Sequence, residues 1–510
     1  MAEIRQKEKV MKKILFSFIF AISLFSCGNK NVLGFKTSKL HFSNGKFRIA
    51  QFTDLHWEDN ESLNAANSKL IIEAVKAEKP QLCVLTGDIV TGGDAEKGWK
   101  DIISLMESTN TPYLILMGNH DTEKLSIDSI YGLIEEYGPN YAIGTNDENF
   151  GGFENGVLTI LGENTDSVKG AVYFFNSGSS YKNRLLSEYD NIHFRQISWY
   201  MNKSDNLTKR DEGVPLPAIA YFHICLPEYK QLAEDTTKIF GHRGEGCSSS
   251  EINAGLFSAM LERGDIMGTF VGHDHSCDFI GLWKGVALGY GRCSGARDNN
   301  EVIPSGCRIV ELTEGKRSFE TWIWTPRGEE GRFYYPSGIN EDMEKEGNFM
   351  KAQKVDASSL ANGISYRFYE GTDKELSTDA MIKNGRLKEQ GIFDSISIKH
   401  AKAEDHFGYD FNGFFKAETK GVYLFTINSD DGTKLFIDGK CIIDNDGSHS
   451  MVPSEDYVSL DKGFHKFRLQ YFEDYMGQHL ELFLTTKNQN KMPLPARLIY
   501  TNSDKVKVSK

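Results

Sequence analysis

Phe47-Arg48-Ile49-Ala50-Gln51-Phe52-Thr53 runs directly into Asp54-Leu55-His56, and this stretch decides the fold of the first half of the chain. It reads as a β-strand that ends in two side chains able to grip a cation. The pattern then repeats. Ser68–Ala77 (SKLIIEAVKA) places Leu70, Ile71 and Val75 at helical spacing, and Gln81–Thr86 (QLCVLT) is a second strand closed by Gly87-Asp88. A helix is expected around Trp99–Glu107, and Tyr113–Met117 (YLILM) is a third strand closed by Gly118-Asn119-His120-Asp121. This β-α-β-α-β rhythm predicts parallel strands joined by crossover helices. Further strands are expected at Val157–Leu161, Ala171–Phe175, Ala218–Phe222, Thr269–Val271, Val286–Tyr290 and Ile309–Leu312, with a helix at Ile252–Glu262.

His223 follows one of these later strands, and Gly272-His273-Asp274-His275 follows another. Gly-Asp or a lone His is weak by itself, because such residues more often cap turns or sit in cores. In this order, at the carboxyl ends of strands where open α/β sheets place their ligand sites, they supply hard oxygens and imidazoles for two cations. Alternation along an extended chain would put Asp54 and His56 on one face. Asp88 offers a carboxylate able to bridge two ions, and Asn119 a neutral amide oxygen.

These motifs resemble the signature of the calcineurin-like metallophosphoesterases: Asp-x-His, Gly-Asp, Gly-Asn-His-[Asp/Glu], His and Gly-His-x-His, in this order. The resemblance covers about 47–325 and implies an α/β two-sheet sandwich. It also implies that Asp54, His56, Asp88 and His275 hold a first metal, and Asp88, Asn119, His223 and His273 a second. His120 would assist the leaving group, with Asp121 orienting it. Two such cations make water a competent nucleophile for in-line attack on phosphorus. The mixed donors accept iron, manganese or zinc. The purple acid phosphatase branch needs a tyrosinate shortly after Gly-Asp, and Ile89-Val90-Thr91 offers none, so that branch is disfavoured. Cys225, where a little-described phosphatase branch usually has Pro, receives no role. Trp57 and Glu58 either line the substrate pocket or cover the sheet end. Arg243 reads as a solvated loop residue, and Cys277 lacks the second Cys of a zinc finger.

Beyond residue 328 the pattern changes. Residues 328–361 are charged with weak periodicity and read as a linker after a phosphoesterase domain at 46–327. Residues 362–500 hold strand-like runs separated by Gly and Asp turns, with Asp438-Gly439 a hairpin signal. An all-β sandwich is expected. Ser429-Asp430-Asp431-Gly432 and Phe436-Ile437-Asp438-Gly439 resemble the protective-antigen-type β-sandwich. In sugar-binding members of that family an adjacent Asp pair holds calcium, which chelates sugar hydroxyls, so Asp430 and Asp431 become candidates for calcium and a glycan. The competing reading is that the pair only shapes a turn.

The chain has 510 residues and a formal net charge of -13, which makes it a poor general binder of nucleic acid. Lys12 and Lys13 precede the apolar run 14–25, which ends in Ser26-Cys27-Gly28. This reads as a lipoprotein signal peptide over 1–26 with Cys27 lipidated, followed by a tether at 27–45, and implies a periplasm-facing or cell-surface, membrane-anchored address. Seven other cysteines show no disulfide spacing and read as small buried residues. The expected function is hydrolysis of a phosphomonoester or phosphodiester on a small molecule or macromolecule. The alternatives are an inactive glycan-binding surface lipoprotein, or a phosphodiesterase whose β-sandwich only packs over the active site.

Overall fold

The computed structural model describes residues 39–143, 154–300, 303–339, 348–487 and 489–502. The signal peptide, Cys27 and most of the tether lie outside them. The described part of the first half is a two-sheet α/β sandwich. One six-stranded sheet runs Gly328–Tyr335, Phe319–Thr325, Cys307–Thr313, Lys46–Phe52, Leu82–Thr86, Tyr113–Leu116, and its last three strands are parallel. The other has eight strands, and Val168–Phe174, Ala218–Tyr221, Ile266–Val271 and Val286–Tyr290 lie side by side and parallel in its middle.

Local chemistry sets the helix ends. Asn60 caps the Glu61–Glu78 helix by accepting from the N–H of Ser62 and Leu63, and Lys79 ends it at φ 48°. Asp94 caps Ala95–Ser108, which buries Trp99, Ile102, Ile103 and Met106 at helical spacing. The second sheet is buried on both faces, as expected of parallel strands covered by helices. Val172, Phe174, Ile219 and Tyr221 join one apolar core with the first sheet, while Ala171, Tyr173, Ala218 and Ala220 join another under the helices Phe194–Arg210, Pro227–Ala233 and Leu256–Arg263. Gln51 ties the layers together just below the motif-bearing edge: its fully buried amide donates to Thr86 Oγ1 and to Val271 O, both at 3.0 Å.

The expected linker does not begin at 328. Gly328–Tyr335 forms a hairpin with Phe319–Thr325 and is the edge strand of the first sheet, with Phe333 and Tyr335 in its core. Its solvated half, Gly-Glu-Glu-Gly, hides the strand signal in the sequence.

Residues 360–502 form two antiparallel sheets around one main apolar core. The Asp438-Gly439 turn is realised, with φ of 49° and 86° and Ile437 paired to Lys440. The two halves touch. Lys491 is buried between the rings of Phe240 and Phe483, each 5.1 Å away, and donates to Ile239 O at 2.6 Å. Tyr457 Oη donates to Arg332 O at 3.0 Å and Gly338 O at 3.2 Å. These contacts run along Ile239–Phe240 and the end of the Gly328–Tyr335 strand. None of them involves a motif residue, so the expectation of a β-sandwich packed over the active site finds no support in them. Among the described residues no helix is long and apolar enough to cross a membrane.

Candidate metal centre

Five turns open on the same edge of the sandwich, and backbone hydrogen bonds lace them together. Asp54 N donates to Gly87 O, His56 N to Asp88 O and Gly272 N to His223 O, each at 3.0 Å. The glycines of the motifs are explained by close approach. A Cβ on Gly118 would lie 2.2 Å from Asp88 Oδ1, and one on Gly272 would lie 2.0 Å from Thr53 Oγ1. Gly87, at φ 91°, has His223 Nδ1 2.4 Å from where its Cβ would be.

Asp54 and His56 converge as expected, but not through strand alternation. The strand ends at Phe52, and both residues have left-handed φ, 53° and 46°, as do Asp88 (50°) and His273 (78°). Asp and His are among the non-glycine residues that tolerate this region. The tight turns, rather than the pleat, aim the side chains.

Two clusters result. Asp54, His56 and His275 bring ligand atoms within 4.8 Å of one another, and so do Asp88, His223 and His273. In the first, His56 Nε2 and His275 Nε2 are 3.1 Å apart, and His275 Nε2 is 3.6 Å from Asp54 Oδ1. In the second, His223 Nε2 is 3.3 Å from Asp88 Oδ2 and 3.1 Å from Asn119 Oδ1. The His223 and His273 rings are 5.1 Å apart. All seven expected ligands thus meet on one edge. They also fit metal ions. His273 Nε2 is buried without a hydrogen-bond partner, and Asp54 and Asp88 are almost wholly buried with only histidines as ion-pair partners among the described residues.

The electrostatics point the same way. Burial pushes the Asp88 carboxyl up, but the His223 imidazolium outweighs it and holds the group well below the usual carboxylate range. Burial lowers His223, yet Asp88 carries it up to about 9. Burial lowers His275 too, and Asp298 and Asp54 carry it up to about 11. His273 is pushed down to about 4 by burial and by His223. The buried carboxylates demand positive charge, and divalent cations would meet that demand while leaving the imidazoles neutral.

His120 stands at the rim. Its N–H donates to Asp88 Oδ1 at 2.9 Å, its ring is 6.1 Å from that of His56, and its side chain is half exposed. The expected orienting role of Asp121 is corrected. Asp121 Oδ1 accepts from Ile89 N and Val90 N at 2.8 and 2.9 Å, and Oδ2 accepts from Gly118 N at 2.7 Å. Neighbouring side chains diverge, so the turn brings Glu123 to His120 instead, with Oε1 2.8 Å from Nδ1. Burial, with Asp88 nearby, pushes Asp121 up to about 6.

Three further residues were not singled out in the sequence. Asp298 Oδ2 lies 3.1 Å from His275 Nδ1 and fixes that ring. Tyr189 sets its ring edge-on to His273 at 4.6 Å. The third is Glu123. They come from loops without periodicity and carry no motif. Trp57 is buried and bridges to Val90, so it covers the sheet end, and Arg243 donates to Ala233 O, away from the clusters. Cys225 and Cys277 are buried, and the seven cysteines of the described residues are free.

In the second half, Asp430, Asp431 and Glu473 form another cluster within 4.8 Å. Asp431 also shapes its loop, accepting from His449 N at 2.6 Å and Asp474 N at 2.8 Å. Glu473 Oε2 accepts from Tyr471 Oη at 2.8 Å, while the buried Oε1 has no partner.

Comparison with known proteins agrees with this geometry. Residues 47–277 match the calcineurin-like phosphoesterase family, and residues 360–494 match the PA14 domain. "Probable inactive purple acid phosphatase 29" of Arabidopsis thaliana is 29% identical over 328 residues, which is 57% of this chain and 82% of that protein. "Phosphatase DCR2" of Saccharomyces cerevisiae is 26% identical over 318 residues, 54% of this chain and 53% of its own length. A dimetal phosphatase from Danio rerio aligns with 56% of this chain and 98% of its own at 10% identity, with a TM-score of 0.41. The expected distance from the purple acid phosphatases does not extend to overall likeness, since relatives bear that name. Ile89-Val90-Thr91, directly after Asp88, still offer no tyrosine. The chain contains a calcineurin-like metallophosphoesterase domain, matched at residues 47–277, and a C-terminal PA14 domain, matched at residues 360–494.

Proposed function

We propose that this chain hydrolyses a phosphomonoester or phosphodiester at the paired Asp/His clusters. The observation that carries the reading is their arrangement: six buried or half-buried ligands in two trios on one sheet edge, with His273 Nε2 left unpartnered. Asp54, His56 and His275 would hold one ion, and Asp88, Asn119, His223 and His273 the other. When bound, such a pair supplies the positive charge that draws in a phosphoryl group and makes water more acidic. Asp298 keeps the His275 ring in place. His120 reaches solvent beside His56 with Glu123 engaging Nδ1, so the protonated ring would have its Nε2 proton to give to the leaving oxygen. The test is metal content together with hydrolysis of p-nitrophenyl phosphate and its bis-ester, in the wild type and in Asp88→Asn.

A second reading, an inactive phosphatase-like domain on a glycan-binding protein, is favoured by the word "inactive" in relatives' names. No turnover after reconstitution with iron, manganese or zinc would select it. For the PA14 domain we propose that Asp430, Asp431 and Glu473 hold calcium, through which sugar hydroxyls bind. Calcium-dependent retention on a glycan array, lost in Asp430→Asn, is the expected result. Cys27 is proposed as the lipidation site of an exported protein, tested by palmitate labelling of the wild type against Cys27→Ser.

A further inference from the structure

Beside the metal clusters stands a short hairpin with an unusual tip. Ser180 and Tyr189 form an antiparallel bridge, Tyr181 N donates to Glu188 O at 3.2 Å, and Asp190 N to Ser179 O at 3.0 Å. Asn183 closes the turn: its carbonyl accepts from Leu186 N at 2.9 Å and its Oδ1 from Leu185 N at 3.1 Å. The base is fastened to the next loop, where Ser187 Oγ donates to Glu251 Oε2 at 2.8 Å and lies 2.9 Å from Ser250 Oγ. On this braced turn Leu185 is 95% exposed and Leu186 59%. Two adjacent leucines held out on a braced turn form an exposed apolar patch. Lys182 and Arg184 are exposed next to them, while the nearby carboxylates Glu188 and Glu251 belong to the base. On a chain of net charge -13, this tip is both cationic and apolar.

The other end of the hairpin reaches the centre. Tyr189 packs against His273, three to four residues from the leucines, or about 10–13 Å along an extended chain. A substrate held at the tip would therefore present its polar end to the clusters.

We propose that the Lys182–Leu186 tip enters the surface of an anionic lipid layer, so that the ester offered to the metal centre is the phosphorylated headgroup of an amphiphile. The substrate half of this inference rests on the phosphoesterase reading; the lipid contact does not. Leucines take the acyl region and the two cations take the headgroup charge, the division of labour of interfacial segments. A protein partner would need a patch of roughly 800 Å² per side, far more than a five-residue tip provides.

The test uses the full chain and vesicles of phosphatidylcholine, with or without phosphatidylglycerol. In Leu185→Trp, the added tryptophan emission should shift to the blue and be quenched by brominated acyl chains, with phosphatidylglycerol only. Leu185→Ser/Leu186→Ser should bind these vesicles roughly tenfold or more weakly than wild type, and Lys182→Glu/Arg184→Glu should lose the preference for the anionic lipid. Hydrolysis of soluble p-nitrophenyl phosphate should be unchanged in all three variants. Absence of quenching, or equal quenching by neutral vesicles, would overturn the proposal. Insertion without any hydrolysis would instead overturn the phosphoesterase reading and leave the lipid contact standing.

Discussion

At the scale of single residues, Asp121 and Glu123 divide a task that the motif assigned to one of them. Asp121 is fully buried and satisfies three backbone N–H groups from two motif turns. Asp121→Ala should cost about 1–3 kcal/mol for each N–H left unpaired, visible as a lower Tm and loss of bound metal. Glu123 is half exposed, and its carboxylate meets the rim histidine. Glu123→Gln should keep Tm and metal content while lowering kcat; a Tm fall as large as that of Asp121→Ala would refute the division. Asp298 pairs with His275, one of the proposed ligands, from behind. Asp298→Ala should weaken metal binding roughly 10–100-fold by competition with a chelator, and unchanged affinity would remove it from the site. That the seven expected ligands would lie together was legible because glycine, Asp and His recur at strand ends in a fixed order. Asp298, Glu123 and Tyr189 were not, since what brings them in is the path of loops that carry no period.

At the scale of elements, turns rather than strands aim the chemistry. The strand at Lys46–Phe52 was readable from its apolar run, but the left-handed φ of Asp54 and His56 was not. Gly328–Tyr335 was misread as linker because its outer half is charged and exposed, and only its pairing with Phe319–Thr325 makes it a strand. In the second half, the strands ending at Asp430 and Glu473 converge on a carboxylate cluster. Burial first, and then the charges of Asp431 and Asp430, push Glu473 up to about 8. An acid whose folded pKa is raised favours the folded state fully below its unfolded value of about 4.5, and that contribution is lost as pH rises towards 8. In a chelator, the PA14 domain should therefore lose stability between about pH 4.5 and 8. Calcium should raise its Tm more at pH 8 than at pH 5. Equal stabilisation at both, or none, would argue against calcium at Asp430, Asp431 and Glu473.

At the scale of the molecule, the two halves meet through a buried lysine. Lys491 is held by Ile239 O and two aromatic rings, and burial lowers its pKa despite Glu455. Such an interface should couple the halves, so that calorimetry shows one transition. Lys491→Ala, which removes the hydrogen bond and the cation–π contacts at a cost of roughly 1–3 kcal/mol, should split it into two. The two-part architecture was legible in the change from helix–strand alternation to hairpin spacing, whereas the docking of the halves was not, because Lys491, Phe240 and Tyr457 are far apart in sequence and unremarkable locally. The paired metal centre underlies the proposed hydrolysis. Metal content and ester hydrolysis, measured on wild type and Asp88→Asn, test it most directly. Two metals per chain and turnover are expected in the wild type, with turnover lost in the variant. A wild type that binds no metal and hydrolyses neither ester after reconstitution would contradict it.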